Sequence, residues 1–236
     1  MTLPTTSFAP AFARIRAAAR AEAVNRERDH SLPFDTVEEL QRIGFGSRRL
    51  TAEPRIPLTE LFGNVVDLAA ADSNIAHLFR GHIAFVETLL FNGDSDAQAR
   101  WGDRLRSGAR VGNAQSERGD TTDITTTLTR TEDGARLNGC KYYTTGSIYA
   151  DWIHVSALDG GDYVGATVDA RDPGVVTADD WDGFGQQLTG SGSTTFTDVP
   201  VAPADIQTFS PDGERFQYIT CLLYTSPSPR DKRQSR

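Results

Sequence analysis

The sequence predicts an α+β protein, in which an N-terminal α-helical domain is followed by a central β-barrel or β-sandwich domain. Apolar residues recur with helical spacing before residue 107, and threonine-rich segments alternate with Gly and Asp turns after residue 110. Helices that precede a block of strands are typical of α+β chains. We therefore divide the chain into a helical domain at 1–107 and a β-domain at 108–205.

Caps and breakers divide the helical domain into five predicted helices. The pair Leu32-Pro33 breaks the first helix, and Gly44 stops the second. Asp35-Thr-Val-Glu38 is a capping-box pattern, and Asp72-Ser-Asn74 is typical of an N-cap. The helices are expected at Phe8–Arg28, from Asp35 to Gly44, at Leu58–Ala71, from Ile75 to Asn92, and at Ser95–Arg106.

The β-domain is predicted from short alternating segments that are separated by turn residues. Asp133-Gly134 is a hairpin signal between two such segments. Strands at this spacing favour a compact barrel or sandwich. The expected strands include Ile124–Arg130, Trp152–Val155, Tyr163–Val168 and Ser193–Val201.

The last part of the chain changes in composition. Phe209–Thr220 is predicted to begin another helix, so residues 206–220 are assigned to the start of a C-terminal helical domain. Residues 221–236 switch to Ser, Pro, Arg and Lys, and composition alone favours a disordered tail. Codons for Cys221 to Asp231 can, however, spell a transposase mosaic-end sequencing adapter. We therefore expect 221–236 to be a non-native, adapter-encoded tail and the helical domain before it to be truncated.

Charge and composition argue against several classes of function. The formal net charge of -8 argues against nucleic-acid binding, which needs a basic stripe, and against binding to anionic lipid. No apolar run approaches the roughly 20 residues of a membrane helix, and the N-terminus lacks a signal-peptide pattern. The 2 cysteines cannot build a disulfide framework or a zinc cluster. We expect a cytoplasmic protein.

Four polar clusters in the predicted β-domain carry candidate site residues. The amide and hydroxyl groups of 112–120 can contact the edge of a ring that bears donors and acceptors. The cluster at 141–151 has hydroxyls beside a glycine, and Trp181 in the cluster at 180–185 can stack on a ring. The fourth cluster, 189–193, has a Gly-Ser character that can cradle a phosphate. Taken one at a time, ordinary turns and core packing are the commoner explanation of such clusters.

Two histidines of the fourth predicted helix differ in position. His82 falls on the apolar stripe, so we expect a core histidine with one hydrogen bond. His77 lies off that stripe, so it can face a cavity between the domains. Their spacing of five residues does not form a metal pair on one face, and no other set has metal-ligand spacing. Ser116 and Ser147 lack a nucleophile context, which argues against a hydrolase.

Four segments, in order and spacing, resemble motifs of the acyl-CoA dehydrogenase superfamily. Asp133–Lys141 resembles its dGyxLnGxK hairpin, and Thr144–Asp151 resembles its itnGxxAD segment. Phe196–Val201 resembles FxdVxVP, and Leu32–Phe45 resembles an early helix with the pattern lPxexxxxLxxxGl. The resemblance covers residues 8–205, and it is specific because the four motifs keep the family's order.

Two further segments favour the flavin-dependent monooxygenase branch, which includes dibenzothiophene and dimethylsulfone monooxygenases. Asn113–Gly119 is closer to that branch's GNAxSE than to the TEPxxGSD of dehydrogenases. Trp181–Thr195 resembles the branch's WDxFGxRxTxSGS, although Gln187 stands where that pattern has arginine. Gly81 stands where some sulfur-oxidising members carry an aromatic hydroxyl, which argues against identical substrates.

The resemblance implies a three-part subunit of a homotetramer, whose C-terminal helical bundle is missing here. It implies a flavin, FMN or FAD, between the β-domain and that bundle, with an NAD(P)H-dependent flavin reductase supplying the reduced form. The implied activity is a two-component monooxygenase that uses reduced flavin and O2 on a small organic substrate. The alternatives are an FAD-dependent acyl-CoA dehydrogenase and a truncated fragment without activity, which would retain little or no flavin.

The resemblance also assigns site residues. Asn113 and Thr145 match positions near flavin N5 and C4a, so they are candidate catalytic and cofactor-binding residues. Ser116 matches a contact to the cofactor edge, and Trp181 matches an aromatic residue beside the ring. His77 matches a histidine in the substrate cavity of some members and is the third candidate catalytic residue.

Overall fold

A computed structural model describes residues 7–92, 94–118 and 124–208. Helices come first and strands follow, so the predicted α+β order is confirmed. The predicted helix at 209–220 and the predicted non-native tail at 221–236 lie outside the described residues. The helices are α1 (Phe8–Asp29), α2 (Phe34–Arg42), α3 (Arg48–Thr51), α4 (Leu58–Ala69), α5 (Ser73–Leu78), α6 (Arg80–Asn92) and α7 (Ser95–Arg106).

Of the two predicted N-terminal helix caps, the one at Asp72 is correct and the one at Asp35 is wrong. The Asp72 carboxylate accepts hydrogen bonds from the backbone N–H groups of Asn74 (3.0 Å) and Ile75 (3.4 Å), as an N-cap should. The capping box at Asp35 is wrong, because α2 already begins at Phe34 after Pro33 and has no side-chain cap. Asp35 therefore lies in the first turn, where its negative charge interacts favourably with the positive end of the helix dipole.

The fourth predicted helix is two helices, α5 and α6, that meet at Phe79. The Phe79 ring is 1% exposed and packs edge-on against Phe45, with ring centroids 5.0 Å apart. Burial of this ring in the helical core turns the chain between α5 and α6, which a periodicity pattern does not reveal. As a result, the end of α5 and the start of α6 face the same cavity.

Eight strands form one mixed sheet in the order β6-β7-β3-β2-β4-β5-β8, with β1 parallel to β4. The predicted hairpin at Asp133-Gly134 is confirmed, because β2 and β3 pair antiparallel around it. The strands are β1 (Val111–Ala114), β2 (Thr127–Thr131), β3 (Gly134–Lys141), β4 (Trp152–Asp159), β5 (Asp162–Asp169), β6 (Val175–Thr177), β7 (Thr194–Val201) and β8 (Ile206–Thr208).

Two features of the sheet differ from the prediction. The strand expected from Ile124 begins only at Thr127, because the backbone N–H groups of Thr125 and Thr126 bond the Glu117 carboxylate instead. The strands β6 and β8 were not predicted, since three residues are too few to show alternation. Because β8 pairs with β5, the sheet continues past residue 205 to Thr208.

Three apolar clusters hold the molecule together. One fills the helical domain, and a second fills the sheet with residues from β1 to β5 and β7, so the sheet curls around a single core. The third joins the two domains through Phe85, Leu89, Trp101 and Val111. Each such side chain stabilises the fold by roughly 1.5–3 kcal/mol when fully buried. This third cluster fixes α6 against β1 and so positions the cavity described next.

Candidate functional site

A cavity of about 290 Å³ lies where the junction of α5 and α6 faces β1 and the loops of the β-domain. All five site residues predicted from the sequence line it, namely His77, Asn113, Ser116, Thr145 and Trp181. Three of the other lining residues, Gln115, Tyr143 and Ser191, lie in the predicted polar clusters without having been assigned a role. The remaining two, Arg80 and Gln186, lie outside those clusters. We call His77, Arg80 and Gly81 the helical wall. We call Asn113, Gln115, Ser116, Thr145 and Ser191 the strand wall.

The helical wall contributes a neutral histidine beside a cation. Burial, and secondarily the positive charge of Arg80, lower the pKa of His77 to about 4. The imidazole is therefore neutral at pH 7, so one ring nitrogen donates and the other accepts. Within the described part of the chain, no hydrogen bond engages the His77 ring. His77 can therefore exchange hydrogen bonds with a bound molecule.

His82 supports the helical wall from behind. Its Nδ1 accepts from the Val111 backbone N–H (3.2 Å), so its Nε2 carries the proton and donates to the Ser47 hydroxyl (2.8 Å). Burial, and secondarily the charge of Arg110, lower its pKa to about 4. The prediction of a core histidine is confirmed, with two hydrogen bonds instead of one. The side chain ties α6 to β1.

The two walls are in close contact at Gly81. A Cβ atom placed on Gly81 would lie 2.4 Å from the Asn113 Cβ atom, far inside van der Waals contact. Glycine therefore lets β1 approach α6, and the Asn113 side chain fills the space that a larger residue 81 would take. This close contact with Asn113 explains why position 81 is glycine in this chain and not the aromatic hydroxyl of the resemblance.

The strand wall begins with two polar side chains that are open to a ligand. Asn113 is half-buried on β1 and Ser116 is exposed just after it. Among the described residues, no hydrogen bond engages either side chain. The segment itself is fixed, because the Ser116 carbonyl accepts from the Tyr142 N–H (2.8 Å). The wall therefore presents an amide and a hydroxyl at set positions.

A buried ion pair between Lys141 and Glu117 holds the segment that carries Asn113 and Ser116 in place. Lys141 is fully buried and donates from Nζ to the Glu117 carboxylate (2.7 Å) and to the Ser156 hydroxyl (3.1 Å). The same carboxylate accepts from the N–H groups and hydroxyls of Thr125 and Thr126. Burial raises the pKa of Glu117, but the hydrogen bonds from Lys141 and the two threonines outweigh it and hold the pKa at about 2.

Thr145 stands at the cavity end of a chain of hydroxyl groups. Its Oγ1 lies 2.8 Å from the Ser191 Oγ, which lies 2.7 Å from the Thr189 Oγ1. The Thr189 hydroxyl donates to the Gln186 carbonyl (2.8 Å). Gly146 follows Thr145 with a positive φ of 81°, and its missing Cβ atom would lie 2.6 Å from the Leu78 carbonyl oxygen. The turn therefore fits directly under α5.

Trp181 borders the cavity as a half-buried ring, so core packing does not explain it. Its Nε1 donates to the Gly185 carbonyl (3.0 Å), and its ring meets Tyr143 edge-on with centroids 5.7 Å apart. A Cβ atom on Gly183 would lie 2.0 Å from the indole ring. These loop contacts fix an aromatic face beside the polar groups of the strand wall.

Among the residues that the structure describes, no cluster of three or more His, Cys, Asp or Glu side chains can hold a metal ion. None of the helices in the described ranges combines the length and the hydropathy of a membrane span.

Several curated proteins are similar to part of this chain in sequence, although no protein-family model matches it. Dibenzothiophene monooxygenase of Rhodococcus erythropolis is 32% identical over 151 residues, which cover 60% of this chain and 36% of that protein. A probable FMNH2-dependent monooxygenase of Pseudomonas putida, SfnC, is 29% identical over 146 residues, with the same two coverages of 60% and 36%. The match thus spans about a third of the length of these relatives.

A solved structure shares the fold over nearly the whole chain. FMN-bound TdsC of Paenibacillus sp. A11-2 superposes with a TM-score of 0.83 at 24% sequence identity, over 93% of this chain and 60% of that chain. The likeness establishes the fold, and it confirms the resemblance to the acyl-CoA dehydrogenase fold that the four sequence motifs indicated. The chain spans less than two thirds of TdsC.

Proposed function

Because this chain has the acyl-CoA dehydrogenase fold and is related in sequence to dibenzothiophene monooxygenases, we propose that it is part of a flavin-dependent monooxygenase. The enzyme would use reduced flavin and O2 on a small organic substrate. One observation supports this most strongly. The five residues that the motifs assign to flavin and substrate come from distant parts of the sequence, and they line one cavity.

The chemistry of the cavity suits a flavin ring. A flavin is flat and aromatic, and its edge carries both hydrogen-bond donors and acceptors. The strand wall offers an amide at Asn113 and hydroxyls at Ser116 and Thr145, which can pair with either kind of group. Trp181 offers an aromatic face beside them. In this proposal, Ser116 and Trp181 bind the cofactor, and Asn113 and Thr145 contact its reacting edge.

The protein's part in the reaction is to bind, orient and exclude water. A bound reduced flavin would supply the electrons with which one oxygen atom of O2 enters the substrate. Asn113 would donate its amide N–H groups to the reacting edge, since no described residue uses them. His77, neutral at pH 7, would hold the substrate by a hydrogen bond or accept a proton from it. Trp181 and Tyr143 would shield the cavity from water.

Finer features of the enzyme follow from the relatives and belong to the same proposal. FMN is favoured over FAD, since TdsC is described as FMN-bound and SfnC as FMNH2-dependent. A separate NAD(P)H-dependent flavin reductase would deliver the reduced form in the cytoplasm. A C-terminal helical bundle and a homotetramer would complete the site in the whole protein. TdsC has also been solved with FMN and indole, which makes indole a practical probe substrate.

The proposal is tested with the uninterrupted gene product, FMN, NADH, a flavin reductase and ¹⁸O2, with indole as probe. We expect ¹⁸O in the product only when the reductase is present. The change Asn113→Ala should lower the rate at least about tenfold, the size of one lost charge-stabilising hydrogen bond. Desaturation of an acyl-CoA with an artificial electron acceptor, without oxygen insertion, would instead establish the dehydrogenase alternative.

A further inference from the structure

The cavity presents a positive charge in a protein that is negative overall. We infer that Arg80 selects the substrate by binding an anionic group on it, so that the substrate is a small organic carboxylate or sulfonate and not a neutral aromatic compound. The inference rests on the proposed function, and it deepens that function by naming a class of substrate and the residue that selects it.

The charge of the lining residues differs in sign from that of the whole chain. The chain has a formal net charge of -8. Among the described residues that line the cavity, however, Arg80 carries a permanent positive charge and none is an aspartate or a glutamate. The others are the neutral His77, amides, hydroxyls and aromatic rings. An anion that enters the cavity therefore meets a cation and hydrogen-bond donors along this lining.

The charge of Arg80 acts inside the cavity. Arg80 is the first residue of α6 and follows His77 by three positions, and both residues line the helical wall. Burial is the larger cause that lowers the pKa of His77, and the positive charge of Arg80 is the second. Such an effect requires the guanidinium to lie near the imidazole. A molecule bound at this wall therefore interacts with both groups.

The two groups suit one anion. A guanidinium donates two parallel hydrogen bonds to a carboxylate, and it binds the oxygens of other oxyanions in the same way. The neutral imidazole of His77 can donate one further N–H group to the same anion. The helical wall therefore offers donors to several oxygen atoms of one bound group.

The position of Arg80 connects it with the substrate. In the proposed function the flavin contacts belong to the strand wall and to Trp181, whereas His77 on the helical wall holds the substrate. Arg80 lies beside His77, so its charge acts on the same molecule. A neutral substrate that covered Arg80 would displace water without replacing the hydrogen bonds of the guanidinium, which disfavours its binding. The cavity should therefore prefer an anion to a neutral molecule of the same shape.

The test is calorimetry on the uninterrupted gene product saturated with oxidised FMN, without reductase. Benzoate is compared with benzamide, and benzenesulfonate with benzenesulfonamide, because each pair differs in charge and hardly in shape. We expect at least one anion to have a dissociation constant at least about tenfold below that of its neutral partner, as for one hydrogen bond between charged groups. The pair with the larger ratio identifies the bound group as a carboxylate or a sulfonate.

Three variants assign the preference to a residue. Arg80→Met removes the charge and keeps much of the length, so the ratio should fall to near one. Arg80→Lys keeps the charge and should retain most of the preference, which separates loss of charge from loss of fold. Arg14→Met is the matched control, because it makes the same change in an exposed residue of α1 that pairs with Glu39 and does not line the cavity. It should leave the ratio unchanged.

The outcomes separate this inference from the proposed function. If FMN binds but neither anion binds better than its neutral partner, the inference is wrong and the proposed function stands. The inference is also wrong if the preference survives in Arg80→Met, or if Arg14→Met abolishes it equally. If the uninterrupted gene product binds no FMN, both are wrong.

Discussion

The two walls of the cavity differ in their electrostatics. The helical wall uses ionisable groups, and it relies on burial to keep His77, and His82 behind it, neutral. The strand wall uses neutral amides and hydroxyls, and it relies on a buried ion pair, Lys141–Glu117, to hold them in place. Protonation of a buried histidine would destabilise the helical wall, whereas neutralisation of the Glu117 carboxylate would destabilise the strand wall.

The comparison shows where rigidity comes from in each wall. In the helical wall, one buried histidine, His82, and the apolar cluster around Phe85 and Val111 link α6 to β1. In the strand wall, several hydrogen bonds converge on one carboxylate, so a single change should disturb the whole segment. We therefore expect the strand wall to be the more sensitive of the two to substitution at its support.

The largest effect is expected for Lys141→Met. This change leaves the Glu117 carboxylate without its cation below the strand wall, and breaking a buried pair costs about 3 kcal/mol of the free energy of unfolding. Arg171→Met is the control, since it removes a cation from an exposed pair with Asp169. It should leave the free energy of unfolding nearly unchanged, because solvent screens the exposed pair. Urea unfolding of both variants measures the difference, and equal costs would show that the ion pair does not support the wall.

The two walls should also lose their contributions to the free energy of unfolding in different pH ranges. The pKa of His82 is about 4 in the folded chain against a usual 6.5, so the unfolded state takes up the proton first. The stability that depends on neutral His82 is therefore present above pH 6.5 and is lost as the pH falls toward 4. Glu117 has a lowered pKa of about 2, so its contribution is present above its usual 4.5 and is lost between 4.5 and 2.

Urea unfolding as a function of pH separates these two windows. The free energy of unfolding should depend less steeply on pH between 6.5 and 4 in His82→Gln than in the unchanged chain, by up to about 1.4 kcal/mol per pH unit. In Glu117→Gln the change in slope should appear only below pH 4.5. If the slope changes over the same pH range in both variants, the contrast between the two walls is wrong.

A smaller effect is expected at the contact between the walls. Gly81→Ala would force the Asn113 side chain away, which should cost roughly 1–3 kcal/mol of the free energy of unfolding. Gly63→Ala makes the same change inside α4, where a Cβ atom meets no atom within 4 Å, and it should stabilise the helix by up to about 1 kcal/mol. Thermal unfolding of the pair checks the opposite signs. A neutral Gly81→Ala would mean that the walls can move apart freely.

Part of each wall could be predicted from the sequence, and in both walls the family resemblance carried the prediction. Asn113 and Ser116 lie in one contiguous motif of the strand wall, so the resemblance assigns both of them at once. Arg80 was missed because periodicity predicted one continuous helix, and the turn at Phe79 that brings Arg80 to the cavity depends on tertiary packing. His77 was found through the family resemblance and its position off the apolar stripe.

The same distinction applies to the fold. The helix Ser95–Arg106 was predicted with the bounds that the structure shows. Its start depends only on neighbouring residues, because Asp94 caps it. The hydrogen bond between Ser191 and Thr145 could not be predicted, because it joins residues 46 positions apart. The start of β2 was misplaced for a similar reason, because Glu117 captures two backbone N–H groups from across a loop.

In the proposed enzyme, the two walls together form one side of the flavin site. Anaerobic calorimetry with reduced FMN measures this in the uninterrupted gene product and in its glycine variants Gly81→Ala and Gly63→Ala. We predict saturable binding with a dissociation constant below about 1 mM for the unchanged protein and for Gly63→Ala, and at least tenfold weaker binding, about 1.4 kcal/mol, for Gly81→Ala. No saturable binding to the unchanged protein, or equal affinities for all three proteins, would contradict a flavin site between the two walls.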